Sequence, residues 1–359
     1  MKTLAELREL IDKLDSQMLT LLNQRMDVVK QVGDLKKQTN ALIYRPEREK
    51  QILDRLTALN QMQNGLLNNT AIDAIFMEIF AASRNLELPE RVAYLGPEGS
   101  FTHQAAESRF GYLSDYIPLK NIRAVFESVV TERARFGVVP IENNQEGFVD
   151  ETIDFLNEFE VNIVAEIVMP IHHTFASKSE KLSDIKYIYS KDIAFQQCKN
   201  FLANYFQDSQ AQLLPVESTS KAAQMAGEQA NSAAICSGVA AKLFRVPILF
   251  ENIEDSPHNQ TRFYVLAHNF QNQPSGNDKS TLLVNLPNTA GSLANFLQMF
   301  NTLQINMTKI ESRPNKSDKN FSTWFYIETD GHAQEAPLKH IITENTQSIR
   351  VAGSYVKIC

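Results

Sequence analysis

Between Leu4 and Leu35 the apolar residues Leu4, Leu7, Ile11, Leu14, Met18, Leu21, Val28, Val32 and Leu35 follow alternating steps of three and four. No proline interrupts the run, and Gly33 is its one glycine. This period marks one face of a long α-helix and fits no strand. A helix longer than about 25 residues belongs to a bundle or a coiled coil. Shorter helical patterns follow at Pro46 to Met62 and Asn69 to Leu86. Three such helices, one of them very long, bury little apolar surface as a lone chain, so a dimer is expected.

The remaining chain has a different texture. Its total of 359 residues implies two or three domains at roughly 100 to 200 residues each. From Arg91 short β-branched runs alternate with helical ones, an α/β pattern. Strands are expected near Val92–Leu95, Gly137–Pro140, Val161–Val168, Tyr187–Tyr189, Ala233–Cys236 and Phe263–Leu266. Helices are expected near Thr102–Arg109, Val125–Glu132, Glu151–Phe159, Phe195–Tyr205 and Lys221–Gln229. Gln271–Lys279 has linker composition, and beyond it strand and helix patterns alternate as βαββαβ up to Ile358, the ferredoxin-like plan. The expected division is 1–89, 90–270 and 279–359. A net charge of -7 argues against a nucleic-acid or anionic-membrane surface. No apolar run approaches the roughly 18 residues of a membrane span. Cys198, Cys236 and Cys359 lack metal or disulfide spacing, which fits a reducing cytoplasm.

The three-four steps also place Arg25 in the apolar seam. A guanidinium there stays charged, so either an acidic residue of a neighbouring helix or a bound anion must meet it. Lys36, eleven residues on, shares that face about 16 Å along the axis. Two long basic side chains leaning together suit a small dianion. The second helix opens on YRPERE, with Arg45, Arg48 and Glu49, and with Pro46 in the tolerant first turn. Arg8 lies on another face, about 25 Å from Arg25. It is a solvated surface charge unless another chain brings it to the pocket.

The stretches LAELRELIDKLD, LNQRMDVVKQVGDLK, YRPERE and FAASRNLE resemble the all-helical chorismate mutase family over essentially the whole helical segment. The resemblance implies an intertwined dimer whose site takes Arg25, Lys36, Arg48, Glu49, Ser83 and Glu87 from one chain and Arg8 from the other. Arg45 stands where some members carry aspartate. The reaction, chorismate to prephenate, is a pericyclic shift that needs no nucleophile, metal or cofactor. It needs a compact substrate conformer and stabilisation of charge on the breaking ether oxygen. Lys36 and Glu87 are the catalytic candidates. Glu87 is glutamine in some relatives and donates a hydrogen bond only when protonated, so mutase activity is expected to favour acidic pH; the plainer reading is that it caps or pairs at the helix end.

Polar clusters stand at the ends of the expected α/β strands: LGPEGSFTH, VVPIENN, YSKDIAFQQC, VESTS and NQTRF. Gly96 and Gly99 do not form a nucleotide fingerprint, and Ser100, Thr102, Ser218 and Thr219 each read singly as helix caps. Together the clusters resemble the prephenate dehydratase family across Arg91–Asn269. That implies two α/β lobes flanking a cleft, like the bilobal periplasmic binding proteins. The implied site comprises Glu142, Asn143, Ser190, Gln197, Glu217, Ser218, Thr219, Thr261, Arg262 and Phe263, with Thr261 catalytic. The family commonly carries histidine and proline after the serine matching Ser190; here Lys191 and Asp192 follow. Aromatisation drives loss of the ring carboxylate and hydroxide, leaving the protein to assist by proton donation.

In the last segment, the turn Asn288–Gly291 opens a helix with GSLA, and the following strand ends in ESRP. A helix start suits a carboxylate, although GSLA alone is an ordinary loop-helix junction. Both motifs together resemble ACT regulatory domains, which implies phenylalanine bound through Asn288, Ala290, Gly291, Ser292, Leu293, Glu311, Ser312 and Arg313. The ensemble resembles the bifunctional P-protein family, a multidomain chain with chorismate, prephenate and phenylalanine as ligands, no cofactor, and a homodimer or larger assembly. Arogenate dehydratase activity is an alternative. So is a non-catalytic amino-acid-responsive binding protein, which Thr261, Arg25 and Lys36 disfavour.

Overall fold

The computed structural model describes residues 2–39, 46–87, 90–207, 209–315 and 322–357; Arg45, Ile358 and Cys359 lie outside them. The chain separates into two compact units, one running to Glu90 and taking in Phe110–Asp115, the other holding Arg91–Arg109 and everything from Tyr116 on. Among the described residues no helix is long and apolar enough to cross a membrane.

The first unit is α1 (Leu4–Thr39), α2 (Pro46–Met62) and α3 (Asn69–Glu87). With 36 residues, α1 is about 54 Å long. Helix α3 packs on both other helices. Gly33 permits the closest part of that packing, since a Cβ there would lie 3.1 Å from Glu87 Cγ. Most of the α1 seam stays uncovered within one chain: Leu4, Leu21 and Leu35 are 65%, 64% and 61% exposed, and Leu7, Ile11, Leu14, Met18, Val28 and Val32 are exposed too. The periodicity thus locates the helix correctly, but α2 and α3 of the same chain do not fill its seam.

The second unit begins β1 (Arg91–Leu95), α4 (Phe101–Phe110), β2 (Asp115–Leu119), α5 (Ile122–Val130), β3 (Phe136–Asn143), β4 (Gly147–Phe148), α6 (Asp150–Glu158) and β5 (Asn162–Pro170). A second run follows: β6 (Thr174–Ser177), β7 (Tyr187–Ser190), α7 (Asp192–Gln197), α8 (Lys199–Phe206), β8 (Gln212–Pro215), α9 (Thr219–Glu228), β9 (Ser232–Cys236), α10 (Gly238–Leu243) and β10 (Ile248–Phe250). Then β11 (Gln260–Ala267) returns to the first run. Two sheets result, ordered β2-β1-β3-β11-β5, with β4 on β3, and β10-β6-β9-β7-β8. Strand β11 lies antiparallel between β3 and β5, which closes one lobe after the chain has built the other. The elements the sequence does not announce are short: β2 and β8 each carry a proline, β10 has three residues, and β6 has four. Two turns of alternation are too few to register as a pattern.

The chain ends with β12 (Asp278–Asn285), α11 (Ser292–Thr302), β13 (Met307–Pro314), β14 (Thr323–Asp330), α12 (Leu338–Glu344) and β15 (Ile349–Val356). Their antiparallel order β13-β14-β12-β15 is the expected ferredoxin-like plan. One face of this sheet shares a core with the first lobe, where Leu283, Trp324, Tyr326, Ala352 and Tyr355 cluster with Ile163, Tyr264 and Leu266. At Gly353 a Cβ would overlap the Ile163 carbonyl, so the backbones of β15 and β5 approach as only glycine allows. The stretch expected as a linker is partly anchored. Asn272 is buried and donates to the carbonyls of Val164 at 2.7 Å and Ser354 at 2.9 Å, and Asp278 and Lys279 already belong to β12.

Candidate active sites

Arg25 and Lys36 leave α1 about 16 Å apart, yet they converge on neighbouring turns of α3. Arg25 donates to the Ser83 hydroxyl at 2.5 Å and lies 5.9 Å over the Phe80 ring. Lys36 Nζ sits 2.9 Å from Glu87 Oε2. Burial pushes the Arg25 guanidinium below its ordinary value, but arginine remains charged at neutral pH. Among the described residues its partners are a hydroxyl and an aromatic face, both neutral, which leaves a half-buried cation suited to an incoming anion.

Other expected members lie elsewhere. Arg8 and Arg48 are exposed on α1 and α2. Glu49 is buried and ion-paired to Arg84, which also meets Glu90 at 2.9 Å and the Phe110 carbonyl at 3.3 Å. One chain therefore brings together Arg25, Lys36, Ser83 and Glu87. Arg84, at the centre of the FAASRNLE stretch, is a buried charge that pattern reading passed over.

In the second unit an open cleft of about 870 Å³ lies between the two sheets, lined in part by Asn143, Gln197, Glu217, Ser218, Thr219 and Thr261. Asn143 and Thr261 are register partners on β3 and β11. Asn143 Nδ2 donates to Thr261 Oγ1 at 2.8 Å and to Asn259 Oδ1 at 2.9 Å, while its Oδ1 accepts from the backbone of Gln145 at 2.9 Å. The amide is thereby fixed, and the Thr261 oxygen acts as acceptor toward it, leaving the hydroxyl proton for another partner.

Across the cleft, Gln197 Oε1 is 2.8 Å from His173 Nε2. Phe101 meets the imidazole edge-on with centroids 5.4 Å apart. Burial pushes the His173 imidazole below its ordinary value, outweighing the Gln197 hydrogen bond and the Glu254 charge, so the ring is neutral at neutral pH. Two helix starts complete the lining. Ser218 caps α9 by accepting from Lys221 N at 3.0 Å, and Ser100 caps α4 by accepting from His103 N at 3.2 Å. These residues are both caps and cleft residues, and first-turn N–H groups there suit carboxylates.

Four expected members fall outside the cleft. Ser190 is fully buried and donates to the Ile235 carbonyl at 2.7 Å. Phe263 is buried in the core. Glu142 and Arg262 alternate to the opposite strand face from Asn143 and Thr261 and pair with each other at 2.9 Å. Lys191, at the departure from the family pattern, lines the cleft and precedes α7, which Asp192 begins. His173 and Asn259 were missed; both stand beside polar strand ends, in IHHTF and at the head of NQTRF.

Of the expected effector residues, Gly291 holds a left-handed φ of 85° at the start of α11. Asn288 and Ala290 are exposed, Ser292 and Leu293 half-buried, and Glu311 and Ser312 lie on the edge strand β13. Arg313 departs from the expectation. Its side chain is held on α6, 2.7 Å from Asp150 and 2.9 Å from Asp154.

Comparison with known proteins agrees with this division of labour. The family model "Chorismate mutase type II" matches residues 7–88, and "Prephenate dehydratase" matches residues 92–271. A bifunctional chorismate mutase/prephenate dehydratase of Aquifex aeolicus is 39% identical over 99% of each chain. Its Pseudomonas aeruginosa counterpart is 36% identical over 99% of this chain and 98% of that one. The solved prephenate dehydratase of Arthrobacter aurescens, in complex with L-Phe, is 31% identical with a TM-score of 0.67, covering 74% of this chain and 90% of that one. Relatives aligned with this chain from end to end are named for both activities, and the two family models match successive stretches of it; the chain belongs to the bifunctional chorismate mutase/prephenate dehydratase family.

Proposed function

We propose that residues 1–89 carry the mutase, 90–270 the dehydratase, and 279–359 an ACT sensor that binds phenylalanine and lowers dehydratase turnover. The observation that carries the dehydratase assignment is the 2.8 Å contact of Asn143 with Thr261 inside the cleft. In the first reaction Arg25 holds a substrate carboxylate and Lys36 donates to the ether oxygen, with Glu87 as the second residue at that oxygen. Arg8 of the partner subunit completes the clamp. The uncovered α1 seam supports that dimer, because contiguous exposed apolar surface of this extent marks an association face. Ser83 orients Arg25. Arg48, exposed on α2, is the further carboxylate-binding residue that the resemblance implies.

In the second reaction the bond from the ring to its carboxylate breaks, and the electron pair enters the ring as the C–O bond at the far carbon breaks. Thr261 supplies or relays the proton that turns the departing hydroxide into water. Products are phenylpyruvate, carbon dioxide and water. Gln197, its Oε1 taken by neutral His173 and its Nε2 donating to Glu146 at 3.4 Å, offers its remaining amide proton to the substrate, and the α4 and α9 starts receive the substrate carboxylates. The effector site uses Gly291 and its neighbours with Glu311 and Ser312, the GSLA and ESRP segments being the ones the resemblance implies. A cytoplasmic setting suits buried, unpaired Cys198 and Cys236.

Feeding chorismate to the purified chain and following prephenate and phenylpyruvate, with and without phenylalanine, tests all three parts. Both products should form, and phenylalanine should suppress the second. Accumulated prephenate without phenylpyruvate counts against the dehydratase site, unconsumed chorismate counts against the mutase, and indifference to phenylalanine counts against the sensor. Arogenate offered in place of prephenate tests which substrate the cleft prefers.

A further inference from the structure

Behind the cleft, the strand faces opposite Asn143 and Thr261 carry a buried cage of charge that reaches into the C-terminal sheet. Arg262, next to Thr261 on β11, forks onto Glu328 of β14 with contacts of 2.6 and 2.8 Å, and also meets Glu142 at 2.9 Å and Glu166 at 3.3 Å. Lys279 of β12 lies 3.0 Å from Glu166 and 3.4 Å from Glu328. Lys309 of β13 pairs with Glu142, the neighbour of Asn143. Tyr264 donates to Glu328 at 2.8 Å, and Tyr326 also donates to it. Three carboxylates thus face three cations, all but Lys309 at least four-fifths enclosed by their side-chain exposures. A pair at these distances in a dry interior tolerates little displacement, because removing one member strands the others.

We infer that Glu328 and Lys309 of the C-terminal sheet are positioning residues for the dehydratase reaction: through Arg262 and Glu142 they fix the Thr261–Asn143 pair from behind. The geometry is direct. Arg262 and Glu142 are the chain neighbours of the cleft residues Thr261 and Asn143, and side chains on successive strand positions point to opposite faces. A shift of Arg262 or Glu142 therefore moves the backbone that carries Thr261 or Asn143. Strand β13 also bears the ESRP segment, and its Lys309 and Arg313 grip the dehydratase region at Glu142 and α6. Movement of β13 on effector binding would accordingly reach the cleft through Lys309 and Glu142. The inference rests on the assignment of Thr261 and Asn143 to the dehydratase site.

The test uses the full-length chain with Glu328→Gln and, at the more exposed cation, Lys309→Met. Dehydratase kcat should fall about tenfold to a hundredfold for Glu328→Gln, the range for misplacing a reacting group by about 1 Å, with KM for prephenate nearly unchanged. Mutase turnover on the same polypeptide should stay at the wild-type level. Lys309→Met should lower dehydratase kcat less and blunt its response to phenylalanine, and Glu328→Asp should recover part of the lost kcat. Wild-type dehydratase kcat in both Glu328→Gln and Lys309→Met overturns the inference, as does a loss seen equally in mutase turnover, which would assign these residues to folding alone. Thr261→Ala separates the failures. If it is fully active, the site assignment itself is wrong; if it is inactive while the cage variants are normal, only the positioning role falls.

Discussion

At Thr261 the chemistry depends on which way one proton points. Asn143 donates to its oxygen, so the hydroxyl proton is directed away from the amide, toward whatever occupies the cleft. Thr261→Ala is expected to lower dehydratase kcat by at least about a hundredfold, the usual worth of a proton donor, with KM for prephenate changing little. Mutase turnover in that variant should match wild type; parallel loss of both activities would point to misfolding. Glu87 poses the complementary question in the helical unit, where it accepts from Lys36 at 2.9 Å. Replacing it with glutamine supplies a permanent donor at that place, so Glu87→Gln should keep mutase turnover near wild type. A loss of about a hundredfold would sink the donor role. These residues were legible because polar side chains at strand ends and cations in an apolar seam are anomalies that a linear reading detects. Arg84 and His173 were harder: a buried charge or imidazole among ordinary neighbours gives no sign of its partners until the chain is folded.

Strand β11 shows what a linear reading loses between adjacent residues. The motif TRF places three consecutive residues in one functional unit, yet alternation sends Thr261 to the cleft face, Arg262 to the cage on the other face, and Phe263 back to the face of Thr261, where it is buried. A motif read as a string cannot state which face each member takes; the pleat decides that once β3 and β5 flank the strand. The cage has its own acid signature. Burial alone would raise the Glu328 carboxyl, but the hydrogen bonds and charge of Arg262 and the charge of Lys279 overcome it and hold the group at about 2, against an ordinary 4.5. A depressed carboxyl stabilises the fold fully above its ordinary value and ceases to do so as pH falls toward the folded one. The contribution, on the order of 3 kcal/mol by linkage, should therefore disappear between about pH 4.5 and 2. Urea midpoints for unfolding of the C-terminal sheet should fall across that window, and fall less steeply in Glu328→Gln. Equal slopes in the two proteins would show that other carboxylates govern the acid transition.

For the whole molecule, the exposed seam of α1 sets the strongest requirement. A 36-residue helix with leucines bare along its length leaves a long apolar stripe exposed to water, and Arg8 on it lies too far from Arg25 to share one ligand within a protomer. Pairing two copies through α1 resolves both difficulties, because it covers the seam and can carry Arg8 of the partner subunit to the Arg25–Lys36 pocket. Such crossing makes a quantitative demand on mixed dimers. Arg8→Ala and Arg25→Ala should each abolish most mutase turnover while sparing the dehydratase. When the two variants are unfolded together and refolded in equal amounts, half of the dimers are mixed. In each of those, one pocket combines both intact arginines and the other lacks both. Mutase turnover should thus return to roughly a quarter of wild type, as two-fold symmetry with shared sites requires. If each pocket drew both arginines from a single chain, mixing would restore nothing, and the crossed site would have to be abandoned even if the protein proved dimeric.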